Sequence, residues 1–161
     1  MIRVESKIGK GTTFHLYFPK LAEPAFEKPK DDDQKIPLGH ESILFVDDEA
    51  VLTVLVNRLL EPLGYRVTTF TDPLEALENF RGHPETYDLV ITDMTMPRMT
   101  GNVLARKLKA ARPDIPVIIC TGFSERISEN QVKSTDACTL LLKPFGRKEL
   151  AEQIRRVLDK L

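Results

Sequence analysis

"ILFVDDEAV", residues 43–51, carries an apolar run straight into three acids, Asp47, Asp48 and Glu49. The run "SILFV" (42–46) has the length and composition of a buried strand, with no turn residue between it and the charge. Negative charge at the tip of a buried strand demands a use, and the surrounding chain shows which.

Working outward, the same pattern recurs. "AVLTVLVNRLLEPLG" (50–64) reads as a helix with Val51, Leu55 and Leu59, together with Leu52 and Val56, on its inner face, stopping at Gly64. "YRVTTF" (65–70) is a second strand, followed by a helix from Asp72, an N-cap residue, with Pro73 at the first helical position. "DLVIT" (88–92), "PVIIC" (116–120) and "TLLL" (139–142) complete a set of strands. "NVLARKLKAA" (102–111) and a weaker segment "SERISENQVKS" (124–134) are the intervening helices. The last helix, "KELAEQIRRVLDKL", aligns Leu150, Ile154, Val157, Leu158 and Leu161 on one stripe. Strands alternating with helices predict an α/β fold, a parallel five-stranded sheet in a (βα)5 three-layer sandwich with right-handed crossovers. The fully apolar third and fourth strands belong at its centre and the more polar second strand at an edge.

In such sheets ligands bind beyond the carboxyl ends of the strands, where the strand order reverses. Those ends carry Asp47 and Asp48, Asp93, Thr121 and Lys143. In the flavodoxin-like order 2-1-3-4-5 the first and third strands are neighbours, so the acids share a pocket with Thr121 and Lys143 on its other side. Carboxylates about 4 to 5 Å apart repel by roughly 3 to 4 kcal/mol per pair at an effective dielectric of about 20. A retained proton or a hard divalent cation such as Mg²⁺ offsets that repulsion. A carboxylate beside a lysine and a hydroxyl is also placed to accept a phosphoryl group. Helix capping is the plainer use for Asp47 or Glu49, but it leaves the matching strand ends unexplained. Met94, Met96 and Met99 read as loop packing, since thioethers suit soft metals.

Taken together, "ILFVDDEAVL", "DLVITDMTMPRMTG", "VIICTG" and "LLLKPF" resemble the receiver domain of two-component response regulators, over residues 41–161. The resemblance implies that Asp93 accepts a phosphoryl group from a phosphohistidine on a histidine kinase or histidine phosphotransfer domain, and that the domain catalyses its own phosphorylation and dephosphorylation. It implies Mg²⁺ held by Asp48 and Asp93, by Asp47 through water, and by the backbone carbonyl of Thr95. Thr121 would bond the phosphoryl oxygens, and Lys143, followed by a cis bond to Pro144, would pair with the phosphate. Phe145 matches the family pattern. Leu140 departs from it, standing where an aromatic switch residue is usual. The alternatives are a pseudo-receiver that binds protein without phosphorylation and a haloacid-dehalogenase-like phosphatase with Asp47 as nucleophile. The second lacks its later acidic pair, because "KPFGRKEL" follows the last strand.

Before this region, residues 21–40 read as a linker, with prolines and an aspartate run at 31–33. Residues 1–20 place turn glycines Gly9 and Gly11 before Phe14, Leu16 and Phe18 in alternation, the second strand of a hairpin. "GKGTTFHLYFPK" resembles the closing motif of a histidine kinase's ATP-binding domain, which implies the C-terminal part of a hybrid sensor kinase whose kinase core is absent here. No ATP binding is expected from so little of that domain, and no output domain is expected after the last helix. The chain of 161 residues balances 23 basic against 24 acidic residues, so no global field recruits nucleic acid or a membrane surface. Cys120 and Cys138 lack metal spacing, and a reduced, cytoplasmic setting is expected. The scattered His15, His40 and His83 are not read as phosphodonors.

Overall fold

The computed structural model describes residues 1–19, 36–122 and 138–159. The chain divides into two compact units, Met1–Gln34 and Lys35–Leu161. In the first, β1 (Ile2–Lys7) and β2 (Gly11–Leu16) form an antiparallel hairpin around Gly9. Cross-strand pairs share a face, so Ile2 with Leu16 and Val4 with Phe14 make one side apolar. All four side chains are more than half exposed.

The second unit is the expected three-layer sandwich. Its parallel strands are β3 (Ser42–Val46), β4 (Arg66–Phe70), β5 (Leu89–Asp93), β6 (Val117–Thr121) and β7 (Cys138–Leu142), in the order β4-β3-β5-β6-β7. This is the order 2-1-3-4-5. Every residue of β5 and β6 is buried, as a sheet covered on both faces requires, whereas β4 at the edge is mostly exposed.

Helices α1 (Ala50–Leu60) and α4 (Arg147–Leu158) cover one face, where Val56, Leu60, Leu150, Ala151 and Ile154 meet Ile43, Phe45, Ile91 and Ile118. Helices α2 (Pro73–Gly82) and α3 (Gly101–Ala111) cover the other with Ala76, Leu77, Phe80, Leu104 and Leu108. The Asp72 carboxylate caps α2 by accepting the Leu74 amide at 2.9 Å, as its position before Pro73 predicted. Met96 and Met99 are buried in the same layer, so the loop methionines pack as expected. Both cysteines are free.

One helix face differs from expectation. Helix α1 buries Thr53, Val56 and Leu60, with Leu52 and Leu59 half-buried, and turns Val51 (77% exposed) and Leu55 (46%) outward. The helix is apolar almost all round, so its sequence does not single out one stripe. Thr53 goes inside because its hydroxyl is satisfied locally, donating to Ala50 O at 2.8 Å. The segment 124–134, read as a helix, and Leu161 lie outside the described residues.

Candidate functional site

The parallel sheet delivers its strand ends to one edge. Asp47 leaves β3 and Asp93 ends β5, the neighbouring strand. Thr121 ends β6, and its carbonyl accepts the Lys143 amide at 2.8 Å, which seats Lys143 beside it. The Lys143 Nζ then lies 2.8 Å from Asp47 Oδ2 and 2.6 Å from Asp93 Oδ1. The remaining oxygens are also engaged. Asp47 Oδ1 accepts the Glu49 amide at 3.0 Å, and Asp93 Oδ2 accepts the Thr95 amide at 2.8 Å.

These bonds settle the capping question, since Asp47 bonds an amide ahead of α1 and the Glu49 side chain makes no cap bond. Asp47 is 1% exposed and Asp93 9%. Burial alone would lower the Lys143 pKa, but hydrogen bonds and charge from Asp47 and Asp93 outweigh it and hold the ammonium well above the ordinary lysine value. The pocket therefore contains a lysine that stays charged throughout the neutral range. Burial pushes the nearby Cys120 thiol up to about 12, which leaves it inert at neutral pH.

Of the predicted metal set, the structure brings together Asp47 and Asp93 but does not add Asp48, which is exposed. Among the described residues, no three acidic, histidine or cysteine side chains gather to hold a metal ion. Asp47 is buried where it bonds Lys143, whereas Asp48, the next residue, is exposed. The offset that the sequence assigned to a metal is met in part by Lys143. One ammonium against two carboxylates still leaves a negative charge over, and Asp48 beside them adds another. Hard oxygen donors with surplus negative charge suit Mg²⁺ rather than a soft ion.

The loop that follows Asp93 has a support that strand-end reasoning does not reveal. A Cβ on Gly101 would fall 2.1 Å from the carbonyl oxygen of Asp93 and 3.2 Å from Met94 Cα. The Gly101 amide in turn bonds Met94 O at 2.9 Å, and the Met94 amide bonds Cys120 O at 2.8 Å. The start of α3 thus presses on the backbone of Asp93, a close approach that only glycine allows. Nothing in the sequence shows what Gly101 packs against. Leu140 is half-buried against the α2/α3 layer, and Phe145 packs in the α1/α4 layer. The Lys143–Pro144 bond is cis.

Comparison with known proteins places this arrangement. Residues 43–155 match the family model described as the response regulator receiver domain. The chain is 32% identical to the sensor kinase CckA of Brucella abortus (strain 2308), over 99% of this chain and 18% of that protein. It is 30% identical to the aerobic respiration control sensor protein ArcB of Escherichia coli (strain K12), over 98% of this chain and 20% of that protein. The chain therefore spans about a fifth of these relatives. Among solved structures, a response regulator receiver domain protein from Clostridium thermocellum superposes with a TM-score of 0.70 at 31% identity, covering 74% of this chain and 95% of that one. The chemotaxis protein CheY4 of Vibrio cholerae gives 0.67 at 28% identity, covering 74% and 100%.

Proposed function

The chain belongs to the response regulator receiver family, and from that premise we propose that Asp93 is the phosphoacceptor of a two-component phosphorelay. The observation that carries this reading is the Lys143 ammonium 2.6 Å from an Asp93 oxygen at the mouth of the sheet. A carboxylate oxygen of Asp93 attacks the phosphorus of a phosphohistidine. The new O–P bond forms as the N–P bond breaks, and its electron pair leaves with the imidazole nitrogen. The transferred group is loosely bonded at the transition state, so the protein contributes mainly position and charge.

Lys143 follows the charge from the carboxylate to the phosphoryl oxygens, and the Thr121 hydroxyl donates to one of them. Receiver domains work with Mg²⁺ in general, and here Asp48, Asp93, the Thr95 carbonyl and, through water, Asp47 would hold it. When bound it supplies positive charge against the phosphoryl oxygens. Asp47 is the poorer nucleophile, since it is 1% exposed against 9% for Asp93. An apolar cleft of about 350 Å³, lined by Leu52, Leu55, Val56, Pro144 and Phe145, opens beside Asp47 and Lys143. A kinase or phosphotransfer domain seated there would present its phosphohistidine to Asp93.

Residues 1–20 are the closing hairpin of a larger kinase ATP-binding domain, and the linker expected over 21–40 joins it to the receiver unit, whose packing already takes in Ile36 and Gly39. An apolar face left exposed on both strands supports this, as does alignment of the sensor kinases across 98% or more of the chain. No described helix is long and apolar enough to cross a membrane. Incubation with acetyl phosphate and Mg²⁺, followed by intact mass, tests the acceptor. One phosphoryl group should be gained, and Asp93→Asn should abolish it. Label retained in Asp93→Asn but lost in Asp47→Asn would transfer the nucleophile to Asp47.

A further inference from the structure

The opposite edge of the sheet holds a second charged cluster, built where the chain enters the domain. Glu41 precedes β3 and Tyr65 precedes β4, so both lie at the amino ends of the strands, away from Asp93. Helix α4 runs back from the site edge and brings Arg155 to them. The guanidinium Nη2 of Arg155 lies 2.5 Å from Glu41 Oε1, and Arg155 sits 5.7 Å above the centre of the Tyr65 ring. Glu41 Oε2 accepts the His40 amide at 2.8 Å, and the Glu41 carbonyl accepts the Arg66 amide at 3.0 Å.

The incoming strand of chain is also interlocked by two glycines. The Gly39 amide donates to Leu63 O at 3.0 Å. A Cβ on Gly39 would lie 2.1 Å from the Tyr65 ring, and one on Gly64, at φ +97°, would lie 2.3 Å from Gly39 O. Ile36 packs against the apolar layer that α4 completes.

Two atoms of this joint, Tyr65 Oη and Arg155 Nε, are buried without a hydrogen-bond partner. Burying a polar atom unpaired is unfavourable, so the joint rests chiefly on the Glu41–Arg155 pair, with the exposed Asp159 3.7 Å from Arg155 Nη1 within α4 itself. The same helix starts just beyond the site lysine. Lys143 and Pro144 lead to Phe145, and the Gly146 amide is held by Glu149 Oε2 at 2.7 Å in the first turn of α4. One helix thus begins two residues after the pocket-lining Phe145 and meets the incoming chain near its end.

We propose that Glu41 and Arg155 form a clamp by which α4 holds residues 36–41, and that phosphorylation of Asp93 loosens it. This rests on Asp93 being the phosphoacceptor. A phosphoryl group extends outward beyond the Asp93 carboxylate. Lys143, following it, draws the loop of residues 143–146 and α4 toward the site edge, away from Glu41. The chain entering the domain is thereby told the state of the pocket.

Hydrogen exchange on the whole chain, read at residues 36–41 and at Arg66, tests this. Glu41→Gln should speed exchange there about tenfold without any phosphodonor, since it weakens a charge-assisted bond. Arg155→Lys, which keeps the charge but loses the fork, should fall between Glu41→Gln and the unaltered protein. Acetyl phosphate with Mg²⁺ should raise exchange at residues 36–41 at least about fivefold, the lower end of ordinary coupling between sites, and should do nothing to Asp93→Asn. Unaltered exchange in Glu41→Gln overturns the clamp. A phosphoryl group seen by intact mass with unaltered exchange at 36–41 overturns the coupling alone. No label at all overturns the acceptor assignment and the coupling together.

Discussion

Each edge of the parallel sheet seats a cation against carboxylates, but the charges are counted differently at the two. At the amino edge Arg155 lies closest to one half-buried glutamate beneath a tyrosine ring, and the second acid within reach, Asp159 at 3.7 Å, is exposed, so the buried part of the cluster is balanced. Burial would raise the Glu41 pKa, yet the Arg155 hydrogen bond, the His40 amide and the Arg155 charge together hold it below the ordinary glutamate value. At the carboxyl edge one lysine faces two carboxylates, with a third acid exposed next to them. A balanced pair closes a joint. A cluster with charge left over favours a further cation, and it costs stability that the fold must supply elsewhere.

Removing the lysine should break this contrast most severely. Lys143→Ala strands two buried carboxylates, and uncompensated buried charge of this kind costs about 3 kcal/mol. Urea unfolding at pH 7 measures it. The sign with pH follows from the groups involved. In the unaltered protein the Lys143 pKa is raised, so its contribution is full below about 10.5, the unfolded value, and is lost only as pH rises through the still higher folded value. Between pH 6 and 9 that contribution is flat. The deficit in Lys143→Ala should therefore be the same at pH 6 and at pH 9, and a deficit that vanished by pH 9 would mean that the ammonium is not held by the two acids.

Gly101→Ala comes next. Its new methyl group overlaps the Asp93 carbonyl, and overpacking against backbone costs about 2 kcal/mol. The displaced acceptor should also take a phosphoryl group from acetyl phosphate about 100-fold more slowly. Labelling at the unaltered rate would show that the loop tolerates the shift and that Asp93 is positioned by something else.

What the sequence disclosed follows from where information is redundant. Strand order and site edge were legible because unbroken apolar runs such as Leu89–Ile91 and Val117–Cys120 admit one burial, and the polar residue that ends each strand, Asp93 or Thr121, marks the edge where the site lies. The face of α1 was not legible, because apolar residues ring it and a buried threonine carries no periodic signal. The different burial of Asp47 and Asp48 was equally hidden, since both letters are the same. The amino-edge joint was hidden for another reason. Glu41 and Arg155 are far apart in sequence, and a charged residue before a strand or late in a helix is ordinary on any solvated surface. Gly39 lay in a stretch that reads as linker, yet its amide is bonded to Leu63 and its missing side chain makes room for Tyr65.

Arg155→Met probes the balanced edge and should be milder than either change above. It keeps much of the packing against Tyr65 but leaves Glu41 without its cation, for about 1 kcal/mol at pH 7, because the pair is partly solvated. The depressed Glu41 pKa stabilises above the unfolded glutamate value and is lost as pH falls through the lower folded value. The difference between Arg155→Met and the unaltered protein should therefore vanish in acid. Persistence at pH 3 would assign the loss to packing.

The smallest expected change in stability is also the most informative. Asp48→Asn removes an exposed carboxylate that does not join the pair held by Lys143, so unfolding in urea should move by less than about 0.5 kcal/mol. If the surplus charge at the carboxyl edge exists only to balance the lysine, this variant should also phosphorylate normally. If the surplus serves a divalent cation, the Mg²⁺ concentration needed for half-maximal labelling from acetyl phosphate should rise at least about tenfold, while the stability stays put. A residue whose loss the fold ignores and the chemistry notices is at the site for function alone. Labelling with an unchanged Mg²⁺ requirement would remove Asp48 from the metal set and leave Asp47, Asp93 and the Thr95 carbonyl to hold the ion.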